Sequence, residues 1–401
     1  DSNKAAAAAA AADAAVAGAN LLTESIATEL RAAFAHAPLQ FGVAVACAKA
    51  LRTFISKTEE LFDSTAESTA LSVHQPGNFP RQSAVAAPTA AQRRNAALCR
   101  ALEAVRFRIC EMAGPATERY GGLVTTADVG EPLLQRAREL EALATSRLSS
   151  LGRAVESALL SLVAPAILST SGAGGGGLFG ALGAALEIIL SGPLAPFEGT
   201  AWWASERVRV GRKLLEEAAR AVCLVRPMDE ARRMSLAVAL PELQLLAQRL
   251  CDTERLERLG DSYFTCKSLL PLLFAELRPA SLALGTSEGA VRVAGISLGP
   301  ELLVLPKWVV IHHLFARASR ELRAPHEEAA LNTTLYLEWM SSAKPAAVAE
   351  LIRPALAAYE RKYGAHGSAE AAAQAQSDEV SSSRAVARMV RLLCEEWMRE
   401  V

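Results

Sequence analysis

Apolar residues recur along most of the chain at spacings of three and four, the pattern of helices that bury one face. Leu22, Ile26, Leu30 and Phe34 share such a face, and a second run after Pro38 carries Val43, Val45, Leu51, Phe54, Ile55 and Leu61. Residues 72–90 hold Pro76, Gly77, Pro80 and Pro88 and read as a loop. The helical pattern then resumes over 91–113 through Leu98, Leu102, Val105 and Ile109, and Gly114 with Pro115 ends it. Pro132 suits the first turn of the next helix, a long one passing through Leu140, Leu148, Leu151, Val155 and Leu162 toward Leu168. After the glycine tract Gly172 to Gly177, a short apolar helix over 178–190 precedes Pro193 and Pro196. Further helices are predicted at 198–225, 229–250 with a kink at Pro241, 253–277, 302–322, 327–340, 345–363 and 384–397.

These elements predict an all-α chain in four parts. Residues 1–20 are an Ala-rich low-complexity segment, whose unbroken run Ala5 to Ala12 has no large side chain with which to anchor a core. Residues 21–170 form a helical bundle, 171–197 a Gly/Pro-rich linker with its short helix, and 198–401 a C-terminal bundle with a flexible loop at 364–383.

Composition sharpens this picture. Apolar residues make up 51% of the 401, aromatics only 5%, and alanine about a fifth, a helix former's mixture that disfavours sandwiches, barrels and disorder. The formal charge of -1 provides no global field to recruit nucleic acid or an acidic membrane. Seven cysteines without a C-x-x-C pair, most of them in apolar helical runs, read as reduced, buried thiols of a cytosolic protein. The opening at Asp1, without methionine or a secretory leader, reads as a fragment of a longer chain. The apolar stretch 158–190 fails as a membrane span because Pro165, the glycine tract and Glu187 divide it.

Candidate chemistry is sparse. Gly172, Gly174 and Gly177 satisfy G-x-G-x-x-G ahead of a helix, the layout that cradles a pyrophosphate, but no alternation of strands and helices follows, and a flexible linker fits better. Gly295, Ser297 and Gly299 satisfy G-x-S-x-G, so a serine hydrolase using Ser297 is the alternative function. That nucleophile elbow requires a parallel sheet, and none is predicted. His312, His313 and His326 lack metal-ligand spacing, since adjacent helical residues point about 100° apart. Glu327 and Glu328 after Pro325 instead suit a helix start. The arginines of 207–212 behind Trp202 and Trp203 allow a nucleic-acid or headgroup patch, though a solvated helix face is the plainer reading. No cofactor, metal or small-molecule substrate is implied.

Several blocks carry a resemblance. They are Ser25-Ile26-Ala27-Thr28-Glu29-Leu30, Gln92-Arg93-Arg94-Asn95, and Leu224-Val225-Arg226-Pro227 leading into 234–246. Later come Asp261-Ser262-Tyr263, Leu270-Pro271-Leu272-Leu273-Phe274, Leu314-Phe315-Ala316-Arg317-Ala318 with Glu321-Leu322 and Pro325, then Trp339, and Leu351-Ile352-Arg353 with Tyr359. In this order they resemble the fifth subunit of the conserved oligomeric Golgi complex, over roughly 21–401 and in the manner of that family's C-terminal half. The glycine tract and residues 285–299 depart from the family pattern and read as insertions.

The resemblance implies an elongated rod of tandem antiparallel helical bundles, as in multisubunit vesicle-tethering complexes, that works without catalysis. It implies binding to other subunits of the complex, chiefly the seventh, peripheral association with the cytosolic face of the Golgi membrane, and support of retrograde intra-Golgi vesicle transport. It implies no nucleic-acid partner. Arg317, Glu321, Leu322, Pro325 and Trp339 are the candidate partner-binding residues, with helix-to-helix packing inside the bundle as the competing role.

Overall fold

The structure is a computed structural model that describes residues 2–62, 88–113, 127–169, 178–252, 256–275, 291–293, 296–298, 305–318, 320–363 and 378–400. Helices dominate: α1 (Ser2–Phe34), α2 (Ala37–Leu61), α3 (Ala90–Ala113), α4 (Ala127–Leu168), α5 (Gly180–Ser191), α6 (Ala201–Leu224), α7 (Glu230–Cys251) and α8 (Asp261–Phe274). They continue as α9 (Lys307–Arg317), α10 (Pro325–Glu328), α11 (Thr333–Ser342), α12 (Pro345–Tyr363) and α13 (Asp378–Glu400). One small antiparallel hairpin, β1 (Val291–Val293) with β2 (Ile296–Leu298), interrupts them. The fold is all-α, as the periodicity predicts. The chain divides into two compact units, Asp1–Ala158 with Ala184–Arg207, and Leu159–Gly183 with Val208–Val401.

In the first unit, α1 lies against both α2 and α3. Small residues at the contact, Ala19, Ala27 and Ala33 on α1 and Ala96, Ala97 and Ala101 on α3, are buried and permit close approach of the backbones. Larger neighbours Ile26, Leu30, Leu102, Val105 and Ile109 fill the core around them. The Ala-rich run is continuous with α1, so helix propensity extends the element well before the first buried anchor. Thr89 and Gln92 close a reciprocal capping box at the start of α3: the Thr89 N–H donates to Gln92 Oε1 at 2.8 Å and the Gln92 N–H to Thr89 Oγ1 at 3.2 Å. A longer-range cap serves α6. Both carboxylate oxygens of Glu103 on α3 accept from its first N–H groups, Ala201 and Trp202, at 2.9 Å each.

The second unit is built around α9, whose residues Val309 to Ala316 are all buried. Helix α9 contacts α12 and α13, and α10 contacts α12. Asp229 caps α7, accepting from the Arg232 N–H at 2.8 Å. Three predicted helices are shorter or split. The stretch 253–277 is divided by Gly260, whose φ of 62° no ordinary side chain favours, between a 3₁₀ turn at Leu256–Leu259 and α8. The stretch 302–322 shrinks to α9, which begins behind Pro306 and stops at Ala318 in extended conformation. The stretch 327–340 is cut by Ala330, at φ 54°, and restarts where Asn332 Oδ1 accepts from the Leu335 N–H at 2.7 Å. Helix α7 passes through Pro241 as one continuous element.

Gly211 on α6 marks a tight crossing, because a Cβ there would lie 2.5 Å from Cys251 Sγ at the end of α7. Gly211→Ala is therefore expected to destabilise the protein by about 1–3 kcal/mol through overpacking. The cost should shrink when Cys251→Ala is added, a coupling that denaturant unfolding of the four-member mutant cycle measures.

Candidate functional site

The candidate residues gather in the second unit around α9, together with the later sequence blocks. The segment linking α6 to α7 runs alongside it. The Met228 N–H donates to the Ala316 carbonyl at 3.1 Å, and the Cys223 thiol lies 3.6 Å from the Val309 carbonyl. Between them Arg226, its side chain 9% exposed, donates from Nη2 to the Leu322 carbonyl at 2.6 Å and from Nη1 to Glu327 Oε2 at 3.0 Å. Glu327 also accepts from the Ala324 N–H at 2.7 Å, so one carboxylate starts α10 and receives the guanidinium. Burial presses Arg226 toward its neutral form, and Glu327 opposes that.

Beside this clamp lies a buried aromatic and polar cluster. His312 Nδ1 contacts the Trp308 carbonyl at 2.7 Å and must carry the proton, because a carbonyl only accepts. Nε2 is then the acceptor for the Tyr336 hydroxyl at 2.8 Å. Tyr336 is fully buried, with ring centroids 5.4 Å from His326 and 5.6 Å from Trp339. His313 bonds the Leu272 backbone. Burial pushes His312 down to about 4 and, with Arg317 and Arg233 nearby, His313 down to about 3.

The five predicted partner-binding residues frame this cluster without sharing one environment. Leu322 and Pro325 are buried, Arg317 and Trp339 are half-buried, and Glu321 is exposed. Arg317 donates to the Ala275 carbonyl, tying the end of α9 to the end of α8. Arg226 and Tyr336, which hold the cluster together, lie outside the predicted set. The available signal was one arginine and one tyrosine in otherwise apolar runs.

The motif matches resolve differently. Ser297 sits in the middle of β2, paired with Arg292 in an antiparallel hairpin, where a nucleophile elbow requires a strand-to-helix turn on a parallel sheet. The glycine tract falls outside the described residues. The arginines of α6 have local partners: Arg207 lies over Trp203 at 5.8 Å, and Arg212 donates to the Arg258 carbonyl at 3.1 Å. Among the described residues, no three metal-ligating side chains form a group. Six of the seven cysteines are buried, and burial raises Cys266 and Cys394 to about 12, leaving inert thiols. A cavity of about 110 Å³ in the first unit is lined by Glu103, Arg106, Glu141 and Trp202, yet Glu103 is committed to capping α6 and Arg106 faces Glu141 at 3.7 Å.

By length and hydropathy, Pro38–Leu61 and Val129–Leu168 are apolar enough to cross a membrane. In α4, 39% of the most apolar stretch is buried, and Leu133, Leu140, Leu148, Leu151, Val155 and Leu159 are buried along the helix. In α2 only 28% of the most apolar window is buried.

The two buried histidines contribute to the acid response. Their folded values lie below the unfolded 6.5, so stability is full above that value and falls as pH drops toward the folded values. Each histidine should cost about 1.4 kcal/mol per pH unit in that window. Urea unfolding between roughly pH 6.5 and 5 should show this slope, reduced by one proton in His313→Gln.

No family model and no solved structure matches the chain. Two curated proteins do. Subunit 5 of the conserved oligomeric Golgi complex from Mus musculus is 27% identical over 131 residues, which are 33% of this chain and 14% of the mouse protein. The subunit of the same name from Arabidopsis thaliana is 28% identical over 148 residues, 37% of this chain and 16% of the plant protein. Over about a third of its length the chain is thus related to subunit 5 of that complex, the family its sequence blocks resemble.

Proposed function

We propose that the chain is a non-catalytic subunit of a Golgi vesicle-tethering complex. In this reading it binds sister subunits, chiefly the seventh, and supports retrograde intra-Golgi transport as a peripheral component on the cytosolic face of the membrane. The observation that carries the reading is the similarity to two subunits of the same name from a mammal and a plant. The fold supports it. An all-α chain offers grooves between helices into which a partner helix can lay its own apolar stripe.

The rim of the α9 cluster is the partner contact. On α11, Leu335 is 51% exposed, and Trp339 follows four residues later on the same helical face. Exposed Glu321 and half-buried Arg317 flank the cluster and supply charge, whereas Leu322 and Pro325 support the rim from within. The histidines, the buried thiols and Glu103 act in packing and capping, which fits a scaffold better than an enzyme.

The chain and the candidate seventh subunit, co-expressed and followed by size-exclusion chromatography with light scattering, should form a stoichiometric complex. Combined Leu335→Ser and Glu321→Lys should weaken it by roughly tenfold while the helical signal stays unchanged. A folded chain that ignores every other subunit of the complex would overturn the assignment.

A further inference from the structure

The corner between α1 and α2 is built unlike the rest of the first unit. Only Ala35 and His36 join the two helices. The corner is fixed by hydrogen bonds from the His36 N–H to the Ala33 carbonyl at 3.0 Å and from the Leu39 N–H to the His36 carbonyl at 2.8 Å. Gln40, 3% exposed, reaches back to donate from Nε2 to the Phe34 carbonyl at 2.9 Å. Gln40 is thereby turned inward, while His36 and the large apolar side chains are left outside. Phe34 is 46% exposed, Leu39 58% and Phe41 54%. Leu39 and Phe41 belong to α2, whose apolar stretch Pro38–Leu61 is mostly unburied, and Phe34 ends α1.

The charge pattern around this corner selects an occupant. No charged side chain lies between Arg31 and Lys49. The first charges met on leaving the corner in either direction are therefore basic, with exposed Arg52 following on α2 and exposed Glu29 as the opposing charge on α1. An exposed apolar corner flanked along the chain by basic residues suits a lipid interface. Aromatic and leucine side chains enter the headgroup boundary while lysine and arginine reach anionic headgroups.

We propose that the α1–α2 corner is a direct membrane contact, inserting Phe34, Leu39 and Phe41 into the interface of an anionic leaflet with Arg31, Lys49 and Arg52 on its headgroups. This goes beyond the tethering reading, in which the assembled complex meets the membrane. Vesicle binding by the isolated chain can succeed or fail whether or not the chain assembles with other subunits.

The test is co-sedimentation of the full chain with vesicles of phosphatidylcholine, with and without phosphatidylserine. Wild type should sediment with the anionic vesicles. Phe34→Ser/Leu39→Ser/Phe41→Ser should bind them roughly tenfold more weakly at unchanged helicity. Lys49→Glu/Arg52→Glu should fall to the level seen on phosphatidylcholine alone, and Phe41→Trp should gain fluorescence quenched by brominated lipid. Three results would overturn the proposal: no sedimentation of wild type, equal sedimentation of the triple serine variant, or wild-type self-association that this variant abolishes, which would make the corner a protein contact.

Discussion

A helix buried on every side must find partners for its polar groups among its neighbours, and α9 carries two histidines in its fully buried stretch. The second unit meets that demand at His312, while His313 Nε2 stays buried without a partner. His312 is satisfied at both ring nitrogens, by its own helix through Trp308 and by α11 through Tyr336. The irregular chain after α9 is held by the Arg226 guanidinium, which pairs the Leu322 carbonyl and Glu327 together. An unpaired buried group of this kind costs about 1–3 kcal/mol, comparable to a sizeable part of a domain's net stability. The link between α6 and α7, the turn before α10 and helix α11 are thus located by hydrogen bonds as much as by apolar burial.

Residues that attract a functional reading by type sit in structural environments here. A histidine pair, a G-x-S-x-G match and seven cysteines each suggest chemistry when taken by type. In place, the histidines are held neutral, Ser297 lies within an antiparallel strand, and the buried thiols are raised far above the pH at which they would react. What the molecule presents outward is helical surface: Leu335 beside Trp339 in one unit, and the Phe34, Leu39 and Phe41 corner in the other. The proposed role as a tether subunit would rest on surfaces of this kind.

Much of the fold was legible because its information is local. The three-and-four spacing of Leu22, Ile26 and Leu30 in α1 and of Leu98, Leu102, Val105 and Ile109 in α3 acts within a few residues, whereas α4 starts at Ala127, five residues before the Pro132 expected in its first turn. Breaks that depend on backbone conformation were harder to read. Gly260 and Ala330 take positive φ values in stretches whose apolar spacing still reads as helix. The long-range pairs were hardest. Glu103 caps a helix 98 residues away, and Arg226 meets Glu327 across 101, distances over which no spacing rule operates. The candidate surface was legible only as a block of residues, and its division into supports such as Leu322 and Pro325 and an exposed member such as Glu321 required three dimensions.

The dependence of the second unit on the Arg226 clamp can be measured directly by native-state hydrogen exchange on Arg226→Met, a change that keeps the apolar stem and removes the donors. Amides of α10 and α11 should lose protection by roughly tenfold or more, while those of α1 and α3 in the first unit exchange as in wild type. Unchanged protection in α10 and α11 of the folded variant would contradict the account, because apolar packing alone would then be holding the segment around α9.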